Sequence, residues 1–371
     1  MITVINVFAS LNSGGAENRT MDVYRKIDKS KYQFDFISVS TVPNQYFENE
    51  ILSLGGRIIK LSSPREIGIR AHIRDLIEVF KGYDSSTTVV HSHSLYHSGI
   101  VLYAAKKAGI KVRIAHARAS QSSSKGIKNE IFIAIGKYLI KKYATHRLAV
   151  SAVAGDFLFG GNYTIIPNAI DIDRYVNFSD DERRKYKKEF SISNNDVIIG
   201  HVGRFETEKN HQFIINRFAE FHTNHPQSRL ILVGNGTLRN EIERLVASLH
   251  LKDSVILTGV RRDANRIMNM FDVVLFPSIF EGLPGVILEL QAAGVPSILS
   301  TNITQEVDLG LGLVTYLPLE DSALWLNAIS NFLCKESFST LEERRKAFNN
   351  RGLSIEAEIK ELTHIYSSVI S

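Results

Sequence analysis

The chain has 371 residues, too many for one ordinary core, and its 44% hydrophobic and 22% charged residues exclude a disordered or fibrous polypeptide. A single cysteine, Cys334, excludes a disulfide framework and a Cys-based zinc site. No apolar run reaches the roughly 18 residues a membrane span needs, and Met1-Ile2-Thr3-Val4-Ile5-Asn6-Val7 reads as a buried strand rather than a secretory leader, so a soluble, cytoplasmic protein is expected.

The net charge of +5 hides an asymmetry. Residues 1–190 hold 28 Lys and Arg against 18 Asp and Glu, a balance of +10; residues 191–371 hold 16 against 21, a balance of −5. A basic half suits an acidic partner such as nucleic acid, phosphates or an anionic membrane surface, unless the charges simply divide unevenly.

Short β-branched runs alternate with helical spacing. In the first half, runs at 3–9, 33–40, 57–61, 87–93, 111–117 and 146–151 predict strands buried on both faces, with helical patterns at 69–81, 99–108 and 127–143. After the first strand, Leu11-Asn12-Ser13-Gly14-Gly15-Ala16-Glu17 leads into a helical pattern. Paired glycines there let backbone approach a ligand and the helix N-terminus favours an anion, or the pair is only a tight turn. It is not G-x-G-x-x-G, and the chain has no P-loop, which removes the usual support for nicotinamide or P-loop chemistry. The fourth strand ends in His91-Ser92-His93 with His97 beyond, and the fifth in His116, followed by Ala117-Arg118-Ala119-Ser120. No carboxylate or further ligand motif accompanies the histidines, so no metal is expected. His116, at a strand's carboxyl end, is the better candidate for contacting a substrate. The apolar, lysine-bearing stretch 127–142 reads first as a core helix and second as a membrane-docking one.

The domain boundary is placed between Pro167 and Asp196. This gives a first domain at 1–168, a linker at 169–195, a second domain at 196–350, and a C-terminal helix at 351–371 that is expected to pack back on the first domain. Asp171-Ile172-Asp173 superficially matches the D-x-D metal–nucleotide pattern but reads as a turn. The charge run at 180–188 has mixed signs at helical spacing and reads as a solvated helix face rather than a nucleic-acid patch. Strands follow at 197–202, 229–233, 255–258, 272–277, 296–299 and 313–316, with helical patterns at 211–222, 238–250, 283–293, 322–333 and 355–370. The class is therefore α/β, two doubly wound, Rossmann-like sheets, whose ligands bind beyond the strands' carboxyl ends.

Two loops of the second half stand out. Gly203-Arg204-Phe205-Glu206-Thr207-Glu208-Lys209-Asn210 offers the planar fork of Arg204 and the mobile charge of Lys209, a pair suited to a diphosphate. Ser278-Ile279-Phe280-Glu281-Gly282-Leu283-Pro284-Gly285-Val286-Ile287-Leu288-Glu289 places two carboxylates eight residues apart around a helix start, where hydroxyls and anions are well received. As glycosidase acids Glu281 and Glu289 would have to flank one bond, which their positions do not suggest.

Taken together, Gly14-Gly15-Ala16-Glu17, His116, Pro167-Asn168 with Asp171, Gly203-Arg204 with Lys209, Gly234, Gly259 and Glu281 to Glu289 resemble the retaining nucleotide-sugar glycosyltransferases of family 4, with the GT-B fold of two Rossmann-like domains facing across a cleft. The likeness is to bacterial enzymes of exopolysaccharide and capsule synthesis and spans nearly the whole chain. It implies that Arg204, Lys209 and the Gly203 loop hold the donor diphosphate. Glu281 would accept from the donor sugar's hydroxyls, the amides of Gly282, Leu283, Pro284–Gly285 and Val286 would line sugar and phosphate, and Glu289 would bond the ribose. Gly234 would belong to the same donor site, and Val260 and Arg261 would lie against the base. Gly14 and Gly15 would close over the phosphate, His116 would reach the sugar, and His93, Arg118 and Asn168 would lie on the acceptor side. The sequence departs from the family pattern at Ala169, where glycine is common, at Ala117-Arg118, and at Gly285.

The implied reaction is metal-independent transfer of a hexosyl group, with retention, from a nucleoside diphosphate sugar (UDP-linked) to a polyprenyl diphosphate-linked sugar at the inner membrane face, without cofactor or nucleic acid. Two other classes stay in view: a sugar-nucleotide isomerase of the UDP-GlcNAc 2-epimerase type, which shares the two-domain architecture but against which the Glu281–Glu289 segment with Arg204 and Lys209 argues, and a non-catalytic nucleotide-sugar-binding subunit, against which the complete donor site argues.

Overall fold

The structure is a computed structural model that describes residues 1–118, 127–176, 178–281, 283–335 and 338–370, without the side chains of 127–129. It divides into two units, Met1–Ala169 with Ile355–Ser371, and Ile170–Ser354.

The first unit is built on a parallel sheet of β1 (Ile2–Phe8), β2 (Tyr32–Ser38), β3 (Ile58–Lys60), β4 (Thr88–Ser92), β5 (Val112–Ala117), β6 (His146–Ala149) and β7 (Thr164–Ile165), in the order β3-β2-β1-β4-β5-β6-β7. Register is set along β1, where Val4 faces Phe34 on one side and Val89 on the other. Because side chains alternate, Val4 and Phe8 enter one core and Ile5 and Val7 the other, so the strand must be apolar on both faces. The second unit repeats the plan with β8 (Val197–Val202), β9 (Ser228–Val233), β10 (Val255–Gly259), β11 (Val273–Phe276), β12 (Ser297–Ser300) and β13 (Val314–Leu317), ordered β10-β9-β8-β11-β12-β13. Strand order reverses between β1 and β4 and again between β8 and β11, the two points where loops diverge and a ligand site can form.

Of residues 169–195, assigned to a linker from sequence, Ala169 belongs to the first unit and the described residues from Ile170 onward to the second. Asp171 caps the short helix Ile172–Arg174, and Asp173 pairs with Arg345, so both acids of the D-x-D triplet have structural partners. The charge run forms the helix Asp180–Glu189, started by a Ser179–Glu182 capping box and bound to the unit through Arg183–Asp272 at 3.1 Å and Glu182–Arg266. The sequence reading missed these anchors because the partners lie 80 or more residues away. The last helix, Ile355–Ser367, belongs to the first unit and buries Ile355, Leu362 and Tyr366 in its core.

The helix Ile127–Tyr143 is only half a core helix. Gly136 and Gly99 let it touch the helix Ser98–Lys107 backbone to backbone; a Cβ on Gly136 would collide with the carbonyl oxygen of Tyr96. Its other face leaves Ile131, Ile135 and Tyr138 exposed, at 56%, 49% and 60%. Among the described residues, no helix is long and apolar enough to cross a membrane.

Candidate active site

In the second unit the candidate residues collect where β8 and β11 diverge. The chain leaves β8 through Gly203, forms a single turn at Thr207–Lys209, and enters the helix His211–Asn224 through Asn210, which adopts a left-handed conformation at φ 54°. Two bonds tie this loop to the segment after β11: the Ile279 amide donates to the Glu208 carbonyl at 2.8 Å, and the Asn210 side chain donates to the Pro277 carbonyl at 3.3 Å. That brace brings Lys209 and Glu281 together as an ion pair, both largely sheltered, with the Lys209 ammonium 4.9 Å above the Phe276 ring. The loop after β9 is pressed against the same place. Gly234 has φ 143°, its amide bonds the Gly259 carbonyl at 3.0 Å, and a Cβ there would collide with the Gly203 carbonyl.

The Arg204 side chain is exposed and has no hydrogen-bonding or ion-pairing partner among the described residues, while its carbonyl accepts from the Glu206 amide at 2.9 Å. Pro284 caps the helix Gly285–Ala293 without a side-chain bond, so the first-turn amides around Gly285 and Val286 retain their donors. Leu283 is exposed and Glu289 half-buried on that helix; Gly282 lies outside the described residues. Val260 is 63% exposed after β10, but its neighbour is directed elsewhere. Arg261 binds Asp263 through two nitrogens at 2.8 and 2.7 Å and Glu189 at 2.6 Å, and these bonds hold the Asp263 carboxyl down at about 2. Two acids of the same unit thus engage the guanidinium of Arg261.

Buried beneath this corner are two imidazoles. His201 donates from Nδ1 to the Leu275 carbonyl at 2.8 Å, and its ring lies 4.9 Å from that of His211. Burial drives both below the ordinary imidazole range, His211 to about 4, so they are neutral supports beside the Lys209 cation.

In the first unit the carboxyl ends of β4 and β5 hold His91, His93 and His116, whose ring nitrogens lie within 4.8 Å of one another. Their bonds show what they are for. His93 Nε2 faces the Asn6 side-chain oxygen at 3.2 Å and must carry the hydrogen, which leaves Nδ1 to accept from Arg118 Nε at 3.3 Å. Arg118 also donates to Asn168 at 2.6 Å and faces Glu358 at 3.8 Å. Its side chain is only 5% exposed, so His93, Arg118 and Asn168 do meet, but as one internal network rather than an open acceptor surface. His91 Nε2 meets His116 Nδ1 at 3.0 Å, and His116 Nε2 is buried without a partner among the described residues. Lone pairs already engaged and a guanidinium alongside make the trio a poor cation site, since a metal would have to displace both. Burial lowers all three histidines well below their usual value.

Gly14 and Gly15 open the helix Gly15–Lys26, and Gly14 lies so close to the Glu17 carboxylate that a Cβ would strike it. Burial raises Glu17, while the Arg118 charge partly offsets that. The helix start therefore already holds an acid of its own chain.

Comparison with known proteins fits this geometry. Residues 196–334 match the family model described as "Glycosyl transferases group 1". EpsF of Bacillus subtilis (strain 168), named as a glycosyltransferase, is 36% identical over 88% of this chain and 86% of its own. The chain belongs to the group 1 glycosyltransferases. The UDP-Gal:alpha-D-GlcNAc-diphosphoundecaprenol alpha-1,3-galactosyltransferase of Escherichia coli is 27% identical over 64% of each chain. The crystal structure of Anabaena HepE with UDP and glucose superposes at a TM-score of 0.79 with 17% identity, covering 99% of this chain and 100% of that one, and so shares the GT-B fold.

In this glycosyltransferase the sequence reading missed Asn6, Glu358 and Tyr366, which hold the first unit's histidines and Arg118 in place. Glu358 and Tyr366 lie two helical turns apart on the C-terminal helix, more than 200 residues from their partners. Only a buried pattern with polar interruptions marks them, and that pattern names no partner.

Proposed function

We propose that this glycosyltransferase moves a hexosyl group from a UDP-sugar to a lipid diphosphate-linked sugar, with retention and without a metal, in bacterial surface-polysaccharide synthesis. The observation that carries the reading is the Lys209–Glu281 pair, a cation and a hydroxyl acceptor fixed together at the carboxyl edge of β8 and β11. Lys209 and Arg204 receive the diphosphate, Glu281 the sugar hydroxyls, the amides of Leu283, Gly285 and Val286 sugar and phosphate, Glu289 the ribose, and Val260 the base. His116 donates to a sugar oxygen. The bond from the anomeric carbon to the diphosphate breaks as the acceptor oxygen bonds that carbon on the same face, and the acceptor's proton passes to the leaving phosphate. Charge then grows on the diphosphate, where preorganised cations stabilise it without reorganising. The UDP-bound state of HepE and the lipid-linked acceptor of the E. coli relative support donor and acceptor.

The exposed Ile131–Ile135–Tyr138 stripe, beside Lys141 and Lys142, suits docking on an anionic bilayer, where each basic residue contributes about 1 kcal/mol. Incubating the protein with radiolabelled UDP-sugars and undecaprenyl diphosphate–GlcNAc should move label into the lipid phase equally well with and without EDTA. Loss of transfer in EDTA, restored by Mn²⁺, would overturn metal independence; release of an epimer without acceptor would identify an isomerase instead.

A further inference from the structure

We propose that Tyr366 is a positioning residue that fixes the tautomer of His116 through His91, so that His116 presents an Nε2–H as a hydrogen-bond donor. The phenol is fully buried on the C-terminal helix, edge-on to Phe34, and its Oη lies 2.9 Å from His91 Nδ1. A hydroxyl can donate or accept, but it always carries one hydrogen that needs an acceptor. Among the described residues, His91 Nδ1 is the one hydrogen-bond partner of Tyr366 Oη. The phenol therefore donates, and His91 accepts at Nδ1.

A neutral imidazole that accepts at one nitrogen carries its hydrogen on the other. Burial keeps His91 and His116 neutral and Tyr366 protonated, so no charge state breaks the chain. His91 thus donates from Nε2 to His116 Nδ1 at 3.0 Å, across rings only 2° from parallel. His116 is left with its hydrogen on Nε2, the buried atom that lacks a partner among the described residues. A buried donor without an acceptor is costly, and a ligand oxygen would relieve that cost. The sequence Tyr366–His91–His116 makes His116 a donor and denies it the role of a base. That the oxygen belongs to a donor sugar rests on the proposed function; the tautomer does not.

The test reads the tautomer directly, on the deuterated, [¹⁵N]histidine-labelled full chain without ligand, from long-range ¹H–¹⁵N spectra, with His116 assigned by its loss in His116→Asn. The wild type should show both His91 and His116 as Nε2–H. In Tyr366→Phe, which keeps the ring, His91 should lose its single tautomer and His116 should become a mixture. A wild-type His116 protonated on Nδ1 overturns the proposal, as do spectra unchanged by Tyr366→Phe. Should the variant not fold, the wild-type spectrum still decides. Calorimetry with UDP and UDP-glucose separates the two readings. An Nε2–H His116 whose loss in Tyr366→Phe weakens UDP-glucose up to about tenfold, with UDP unchanged, supports both. A tautomer change with unchanged UDP-glucose affinity supports the relay and counts against the glucosyl contact.

Discussion

At the scale of the residue, the Lys209–Glu281 contact decides how the two should behave when altered. The pair is sheltered but not sealed, with each side chain 17% exposed, and Phe276 lies under the ammonium. Lys209→Ala removes a cation from a leaving group that gains charge in the transition state, so kcat should fall by about 10²–10³ while KM changes little. Glu281→Gln keeps the size and the acceptor oxygen but removes the charge, so transfer should collapse while UDP affinity holds. Because the residues touch, the double variant should cost less than the sum of the two. A rise in KM alone for Lys209→Ala would show that it binds ground state and transition state equally. These two residues were legible in the sequence because a lysine and a glutamate in strand-following loops are unusual enough to notice. The partners of Arg261 were only half legible: Asp263 lies two residues on, but Glu189 lies 72 residues away in sequence.

At the scale of the element, the alternation of short apolar runs made nearly every strand visible, since each feeds cores on both faces. The exception is β7, whose two residues Thr164 and Ile165 are exposed and carry no burial pattern. The helix Ala152–Phe159 went unread despite a Ser151 cap and Gly160 at its end, because eight residues give too little periodicity to stand out. What the pattern does not convey is how closely the loops approach one another. Gly234 holds a left-side φ of 143° and lies against the Gly203 carbonyl, so Gly234→Ala meets both strain and collision. It should cost roughly 1–3 kcal/mol of the second unit's stability, read as a lower urea midpoint of Trp325 fluorescence. Gly310→Ala, at φ 73° with open space around it, is the control: it bears the backbone strain alone and should cost less. Equal losses at both positions would mean that the loop after β9 can move away from Gly203.

At the scale of the whole molecule, buried neutral histidines should make stability fall with acid before the carboxylates titrate. His72, His91, His93, His97 and His116 in the first unit, and His201 and His211 in the second, are all lowered chiefly by burial, His97 to about 3 and His211 to about 4. Unfolded, each takes up a proton near pH 6.5; folded, His72 does so only at lower pH and the other six not until far lower pH. The unfolded chain therefore binds more protons below 6.5, and stability is lost as pH falls from 6.5 toward the folded values. By pH 5.5 each such imidazole costs about 1 kcal/mol. Two acids oppose this in the first unit. Burial raises Glu17 and Glu358, so the folded unit holds their protons longer than the unfolded chain and regains stability as pH falls toward the ordinary carboxyl range. His146 is lowered by burial as well, so six histidines against two carboxylates leave the first unit with the steeper loss, while His222 joins His201 and His211 in the second. The only tryptophan, Trp325, is fully buried in the second unit and reports that unit alone. Urea titrations at pH 7.5, 6.5 and 5.5 should therefore show the far-UV midpoint falling further than the Trp325 midpoint. A stability unchanged from pH 7.5 to 5.5 would mean that the imidazoles are hydrated and titrate normally in the folded chain, and with them the fixed tautomer at His116 would be lost.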